Sequence, residues 1–349
     1  MFRRSVVCAA IGAVVLVAAP HLTSAQTAGV SAECRADNFP ERVAEDACQK
    51  SQDLFNLLAP QLAATLTTGN VVLGQSSTLG GPGHFSLGVR VNALRGAVPR
   101  FNDVTLGTNG AQRSRIGIDD RYVGYPVADA AVGVFKGLPL GITNVGGIDL
   151  LANATYVPNY EGNNVSIRTS GGRIGLGYGA RVGVLQETTF VPGVSVSVMR
   201  RQVPTTAVRV DIGDDDELGI RGARVRSDSW RLVAGKNLLL FAVAAGVGQD
   251  RYTSRATVEA VVRNPTVVIG GIPVQLPAEV RADVARLSQT LTRTNYFANL
   301  TLLSLPFVKI VGEIGRTQGG TLGATFNDLG GRRPDAGYTY GSVGVQVGR

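Results

Sequence analysis

Two residues near the start of a predicted strand have the types and spacing that nucleophilic catalysis needs. His84 and Ser86 lie two positions apart, so on a β-strand their side chains share one face. A histidine that takes a serine proton must lie within hydrogen-bond reach and must be oriented by a third group. The sequence identifies no such group, and His84 follows the turn-forming residues 80–83. We therefore expect no enzyme activity and keep a lipid-modifying hydrolase at His84 and Ser86 as an alternative only.

Charged side chains on the predicted strands form a second candidate site. They alternate with apolar residues, so they share the face opposite to the apolar one. If the strands close into a barrel, an inner wall with more positive than negative charge would favour anionic solutes. The alternative is that these charges pair with each other across a filled lumen. The lumen-lining candidates are Arg90, Asp149, Arg173, Arg181, Arg231, Lys309 and Glu313.

Acidic residues cluster at one point of the chain, Asp214–Glu217, in a predicted loop. Carboxylate oxygens at this density could bind calcium. Their spacing does not match the EF-hand pattern, so a solvated loop tip is the favoured interpretation and no cofactor is expected. The residues concerned are Asp214, Asp215, Asp216 and Glu217. In the last predicted loop, Arg332 and Arg333 could meet anionic lipopolysaccharide.

Residues 1–25 have the features of a cleaved secretory signal peptide. Arg3 and Arg4 precede an apolar run that ends before a small-residue site at 23–25. The exported chain keeps Cys34 and Cys48, an even number, which predicts a disulfide. A loop of that size contributes about 3 kcal/mol to stability. A single histidine remains after cleavage, so cysteine and histidine cannot supply a zinc site.

The composition excludes several classes of protein. Hydrophobic residues make up 44% and charged residues 17% of the 349 positions, which is not the composition of a disordered chain. The one long apolar run lies at the N-terminus, so the chain is not a bundle of membrane helices. The net charge of +8 is spread along the strands without a recognition motif, and export separates the chain from nucleic acid.

Residues 26–69 differ from the rest of the exported chain. Apolar residues between Val43 and Leu66 recur at helical spacing, Pro40 suits a helix start and Gly69 suits a C-cap. We predict a disulfide-linked segment with an amphipathic helix over 40–69, which is either a plug in a lumen or a periplasmic appendage.

From residue 84 onward the period of the hydrophobic pattern changes to two, which is typical of strands. The predicted strands have about the length that a tilted strand needs to cross a bilayer. Short and long connections alternate between them, as in outer-membrane barrels. Residues 104–106 and 116–118 could add a further hairpin. The ten predicted strands are 84–94, 127–136, 147–157, 171–185, 192–203, 220–235, 238–255, 294–304, 307–318 and 335–348.

These residues give the chain a resemblance to bacterial outer-membrane β-barrel proteins over roughly residues 40–349. It is most similar to a family of uncharacterised function that has a helix before the barrel, and more loosely to long-chain fatty-acid transporters. The stretches that carry the resemblance best are 194–200, 227–252 and 297–314. It implies an all-β fold, a closed antiparallel transmembrane barrel of about 10–14 strands over residues 70–349.

The expected function is passage or binding of a small solute, hydrophobic or anionic, by a monomer in the outer membrane of a Gram-negative-type cell. Its partners would be outer-membrane lipid and that solute, and not nucleic acid. The main alternative is a non-conducting barrel, structural or adhesive, whose loops bind a partner. A secreted β-sandwich would show the same alternation, but it would not need strands of this length.

Overall fold

The computed structural model describes residues 29–35, 42–162, 164–212, 216–238, 240–269, 271–276, 279–303 and 308–349. The predicted signal peptide, residues 1–25, lies outside the described residues, as do Asp214 and Asp215.

Within the described part of the chain, ten antiparallel strands close into a barrel. Each strand pairs with the next one, and the last pairs with the first over a register that runs from Ser86 opposite Gly348 to Leu94 opposite Tyr340. This closure confirms the predicted fold class and excludes a sandwich. The barrel strands are β1 (Phe85–Pro99), β2 (Ile118–Phe135), β3 (Gly147–Tyr156), β4 (Ile174–Leu185), β5 (Gly193–Gln202), β6 (Asp216–Leu238), β7 (Phe241–Arg263), β8 (Glu279–Leu303), β9 (Val308–Thr317) and β10 (Thr339–Gly348).

The two faces of the wall have opposite polarity, and the apolar face is the outer one. On β1, Leu87 is 52% exposed and Val89 is 63% exposed, whereas the neighbouring Arg90 is 3% exposed. A protein surrounded by water buries its apolar side chains and exposes its charges. The reverse arrangement here fits a wall that faces lipid outside and a polar lumen inside.

The barrel has two different ends, which we call the turn end and the loop end. At the turn end, the connections are residues 136–146, 186–192, 239–240 and 304–307, and the first of these contains a hairpin of Leu138–Leu140 with Thr143–Val145. At the loop end, the connections are longer, and β6, β7 and β8 extend well beyond the 9–11 residues that cross a bilayer.

Several details of the strand prediction were wrong at the loop end, where β2 begins at Ile118 and not at 127, and β7 ends at Arg263 and not at 255. Residues 104–106 and 116–118 form no hairpin, because Val104 and Ile116 pack instead against α1, the helix Arg42–Thr67. The strand β8 begins at Glu279 and not at 294, because residues 279–293, which were predicted as loop, pair with β7. Short strands extend the sheet beside β6, and another pair forms a hairpin before β8. These loop strands are Tyr160–Glu161, Val165–Ser170, Thr205–Ile212, Thr266–Ile269 and Ile272–Gln275.

Helix α1 lies inside the barrel, with its N-terminus at the loop end. Its first turns pack with Val104 and Leu329 of the loops, and Ala64 packs at mid-barrel with Leu94 and Tyr340. After the helix, residues 68–84 continue to the turn end, where the hydroxyl of Thr78 donates to Gln186. We call α1 together with residues 68–84 the plug.

Candidate functional site: the plugged lumen

Ion pairs between neighbouring strands line the lumen. Asp149 lies opposite Arg181 and accepts hydrogen bonds of 2.9 and 2.6 Å from its Nε and Nη2 atoms. The second pair, Arg90 and Asp129, has an Nε–Oδ2 distance of 2.5 Å. All four side chains are buried. Removing one partner of such a pair typically costs about 3–5 kcal/mol, since the other charge is left buried alone.

The wall also binds the C-terminal end of α1. Arg90 donates from Nη1 to the carbonyl oxygen of Thr68 at 2.5 Å, and Asn92 donates from Nδ2 to that of Thr65 at 3.3 Å. The last carbonyl groups of a helix have no partner within the helix and carry partial negative charge. A wall arginine at this point therefore satisfies an orphan acceptor and complements the helix dipole.

Residues 68–84 are also held by charged side chains of the wall. The backbone N–H of Leu79 donates to both carboxylate oxygens of Asp149, at 3.1 and 3.2 Å. Asn70 donates from Nδ2 to Glu313 at 3.2 Å and accepts from Arg231 at 3.4 Å. These wall charges therefore serve two purposes, because they neutralise each other and they bind the backbone and side chains of the plug.

At the loop end, acidic side chains of α1 bind backbone N–H groups of the loops. Asp46 accepts from the N–H groups of Gly107 and Gln112 at 2.6 and 2.9 Å and forms a buried ion pair with Lys50. Lys50 in turn donates to the carbonyl oxygen of Thr105 at 2.7 Å. The loop 100–117 is thus fastened to the first turns of the helix.

Asp53 makes the second such connection. Its carboxylate accepts from the backbone N–H groups of Phe326 at 3.3 Å and Asn327 at 2.8 Å, and from the Asn327 side chain at 2.8 Å. Burial raises the pKa of Asp53 above its usual value of 3.8, and the donated hydrogen bonds offset this increase only in part. The loop 318–338 is therefore attached to the helix through a titratable group.

The two cysteines are joined as a disulfide, which ties residues 29–35 to the helix. Cys34 and Cys48 have a Cα–Cα distance of 5.4 Å. Both pack against Val258 and Leu287 of the strands β7 and β8. The described N-terminal segment therefore lies at the loop end of the barrel.

The structure places the seven lumen-lining candidates in three environments. Arg173 is exposed at the loop end, where it donates to the Tyr156 hydroxyl at 3.4 Å. Lys309 is half-buried in a pocket of about 350 Å³ at the turn end. The five that are buried around the plug are Arg90, Asp149, Arg181, Arg231 and Glu313.

Among the residues that the structure describes, four further charged side chains line the lumen and were not among the candidates. Asp129, Arg201 and Asp250 lie on inward positions of predicted strands, so the same parity argument could have found them. Arg293 lies one residue before the predicted strand 294–304. Asp250 accepts from Asn295 at 2.6 Å, and Arg293 lies over the Tyr338 ring at 4.6 Å. The residues missed are Asp129, Arg201, Asp250 and Arg293.

The two residues of the hydrolase alternative lie in different surroundings. His84 is exposed, and its Nδ1 atom lies 3.3 Å from the carbonyl oxygen of Gly81. Ser86 is buried at the turn-end pocket. Among the described residues, no hydrogen bond joins His84 to Ser86 and no carboxylate orients the imidazole, so the geometry of a nucleophile and its base is not formed here.

The acidic cluster is described only at its end. Asp216 accepts from the backbone N–H of Arg263 at 3.0 Å, and Glu217 pairs with Arg209 at 2.8 Å. In the part of the chain that the structure describes, no three histidine, cysteine or acidic side chains come together as metal ligands. No helix in that same part is long and apolar enough to span a bilayer.

The plug packs closely against the wall at mid-barrel. Around residues 70–75 the described residues enclose a gap of about 20 Å³, lined by Asn70, Val71, Ser195 and Arg201 among others. Such a gap has about the size that one water molecule needs. The plug and the wall are therefore in close contact around this gap.

Solved structures similar to this chain are outer-membrane barrels of low sequence identity. The translocator domain of autotransporter NalP from Neisseria meningitidis is 8% identical, with a TM-score of 0.37 and coverage of 88% of this chain and 99% of that one. The outer membrane protease OmpT from Escherichia coli is 9% identical, with a TM-score of 0.36 and coverage of 77% and 97%. A FadL homologue from Pseudomonas aeruginosa is 9% identical, with a TM-score of 0.24 and coverage of 81% and 97%.

No protein-family model matches the sequence, and no curated protein matches it. The fold that the resemblance implies, a closed antiparallel barrel, is confirmed by the strand pairing. Similarities of this strength carry no information on activity, ligand or partner.

Proposed function

We propose that this protein is a monomeric outer-membrane barrel that its own N-terminal plug holds closed, with the loop end as its working surface. The observation that carries this proposal is the position of α1, which lies in the lumen and contacts the strands β1, β2, β6, β7 and β8. Of the functions that the sequence left open, the non-conducting barrel with binding loops is supported better by the geometry than steady passage of a solute.

The placement in the membrane follows from the outer face of the wall. On β7, outward apolar side chains begin at Phe241 and continue to Val247, and the first outward charge is Arg251. Ten residues of a strand tilted by roughly 40° span about 25 Å, the height of the apolar band of such barrels. The loop end would face outward, because barrels of this class have their short turns in the periplasm.

The closed state is supported at both ends of α1. The loop end of α1 is held through Asp46, Asp53 and the disulfide, and its other end through Arg90. Opening the lumen would require these buried polar contacts to break together, and each buried group left without a partner costs about 1–3 kcal/mol. A closed barrel exposes its loop-end sheet permanently, so we place binding of a partner there.

A second function, passage of a small solute after release of the plug, is favoured by the lining of the lumen. Charged side chains on an inner wall cost free energy when they are buried against a helix. The same side chains would be well solvated in an open aqueous channel. The buried lining that the structure describes has five arginines and four carboxylates, so it is nearly balanced in charge. They are Arg90, Arg181, Arg201, Arg231, Arg293, Asp129, Asp149, Asp250 and Glu313.

The experiment is single-channel conductance of the chain from residue 26 in planar bilayers, compared with a chain that lacks residues 26–69. We expect the longer chain to insert and to give no steady current. If solute passage is the second function, the shorter chain conducts, because the helix no longer fills the lumen.

Steady conductance by the longer chain would overturn the closed barrel. Silence of the shorter chain, with insertion confirmed by resistance of the strands to protease, would overturn passage through the lumen and leave the closed barrel standing.

A further inference from the structure

Arginines cluster on the outer face of the barrel, at the loop-end limit of its apolar band. Outward positions on β6 are Arg224 and Arg226, followed toward the turn end by Asp228 and Trp230. On β7, Arg255 lies opposite Arg224 and Arg251 lies opposite Asp228, and Arg200 of β5 lies opposite Asp228 on its other side. We call Arg200, Arg224, Arg226, Arg251 and Arg255 the basic patch.

The patch has more positive charge than its surroundings neutralise. Asp228 accepts from the Nε of Arg200 at 2.6 Å and lies 3.3 Å from the Nε of Arg226. Arg224 lies directly opposite Arg255 in the register of β6 and β7. Like charges in directly opposed positions destabilise a sheet. One carboxylate among five guanidinium groups therefore leaves a site that an anion would stabilise.

Two of the arginines have their donors available. Among the described residues, Arg251 and Arg255 form no ion pair and no side-chain hydrogen bond, and both are exposed. They line a groove of about 630 Å³ together with Arg224, Arg226 and Thr253. The next acidic side chain toward the loop end, Glu259, already pairs with Arg221.

The groove lies where lipid headgroups would be. On the outer face, Trp230 is 42% exposed and Leu232 is 37% exposed. Both lie on the turn-end side of the groove, where the apolar band begins. Tryptophan is enriched at the boundary between the hydrocarbon and the headgroups. A ligand with an anionic head and acyl chains would therefore contact the arginines and the apolar wall at the same time.

We propose that the basic patch binds the phosphorylated headgroup of an anionic lipid in the leaflet at the loop end. Guanidinium groups match phosphate well, since they donate two parallel hydrogen bonds to it. Arg332 and Arg333, which the sequence suggested for this role, are instead paired with Asp120 and Asp335, each at 2.6 Å. This inference rests on the proposed placement of the barrel in the membrane.

The test uses the chain from residue 26 in phosphatidylcholine nanodiscs that contain either bisphosphorylated lipid A or lipid A without its phosphates. The variant Arg251→Gln/Arg255→Gln removes two charges from the patch. The matched control, Arg115→Gln/Arg168→Gln, removes two exposed charges from the loops. Native mass spectrometry counts the lipid A retained on the protein, and a titration gives its affinity.

We expect the unmodified protein and the control variant to retain phosphorylated lipid A, and the patch variant to bind it at least about tenfold more weakly. Removal of the lipid phosphates should have a similar effect. Equal affinity of the patch variant and the unmodified protein would overturn the inference.

If inorganic phosphate alone occupied the groove to the same extent as phosphorylated lipid A, the assignment to a lipid would also be overturned. Failure of the placement is distinguishable, because Trp230 would then show no quenching by brominated lipid. If brominated lipid quenches Trp230 but all variants retain the same amount of lipid A, the lipid-binding role of the basic patch is contradicted and the placement of the barrel in the membrane stands.

Discussion

At the scale of single residues, the lumen is held together by charges that bind backbone groups. Carboxylates of the helix and of the wall accept from N–H groups, and arginines of the wall donate to carbonyl oxygens. Hydrogen bonds to charged groups contribute more than neutral ones, at about 1.5–3 kcal/mol each. The plug is therefore fixed by polar contacts as well as by its apolar side chains.

Asp53 makes one of these contacts depend on pH. Burial raises its pKa above 3.8, so the folded protein binds the proton more tightly than the unfolded chain does. The contribution of this group to stability is complete below pH 3.8 and is lost as the pH rises through the folded pKa. Opening of residues 318–338 returns Asp53 to water and removes its desolvation, so we expect this opening to become easier as the pH rises through that range.

Hydrogen exchange of residues 323–330, corrected for intrinsic rates, would measure this effect. In Asp53→Asn this side chain no longer titrates. The exchange rate of residues 323–330 should therefore no longer depend on pH through Asp53, and it should be faster than in the unmodified protein at every pH. A pH profile that is the same in Asp53→Asn and in the unmodified protein would show that another group is responsible.

At the scale of elements, the C-terminal end of α1 is in close contact with the barrel wall. The helix ends at Thr67, and Gly69 has a φ of +78°, the left-handed conformation that commonly ends helices. A Cβ atom at Gly69 would collide with the guanidinium of Arg90. The glycine is therefore needed twice, for the backbone conformation and for the close approach of Arg90 to Thr68.

Gly69→Ala should consequently destabilise the protein more than backbone strain alone explains. Gly83 is a matched control, because its φ is +85° and a Cβ there has nothing within 4 Å. We expect a loss of about 1–2 kcal/mol for Gly83→Ala, and of about 3 kcal/mol for Gly69→Ala, which also displaces Arg90. Urea midpoints of the folded barrel would measure both, and equal losses would contradict the role given to Arg90.

At the scale of the whole molecule, the barrel is apolar outside, polar inside, and filled. Its single tryptophan, Trp230, is at the boundary between the outward apolar band and the basic patch. The fluorescence of this residue therefore reports the position of the barrel relative to the bilayer without any added label.

We expect lipids brominated near the headgroup to quench Trp230 more strongly than lipids brominated near the chain ends. The variant Trp230→Phe/Ala245→Trp moves the fluorophore to an outward position at the middle of the band, and the order of quenching should reverse. The same order in both proteins would contradict the proposed depth of the barrel.

The period-two pattern, the lengths of the strands and the alternation of connection lengths are enough to predict the ten barrel strands from the sequence. Local alternation decides which face of a strand is apolar, and it is visible in the residues themselves. The pairing of Cys34 with Cys48 is likewise present in the structure, where it ties the N-terminal segment to α1.

The position of the helix could only come from the tertiary structure. The apolar spacing of α1 indicates that it needs a partner, but not which surface supplies one, and the plug and the appendage have the same sequence pattern. The same limit applies to the charges. The alternation of residues along a strand predicts that Arg90 and Asp149 point into the lumen, but it does not predict that they bind the backbone of residues 68–84.

The basic patch depends in the same way on register. Arg200, Arg226 and Arg251 lie on three strands, and they become neighbours only when β5, β6 and β7 pair as they do. Register between strands is a property of the closed sheet, since a shift of one residue would reverse the face of every side chain. Local pattern thus determined the type of fold, and long-range pairing determined where its charges meet.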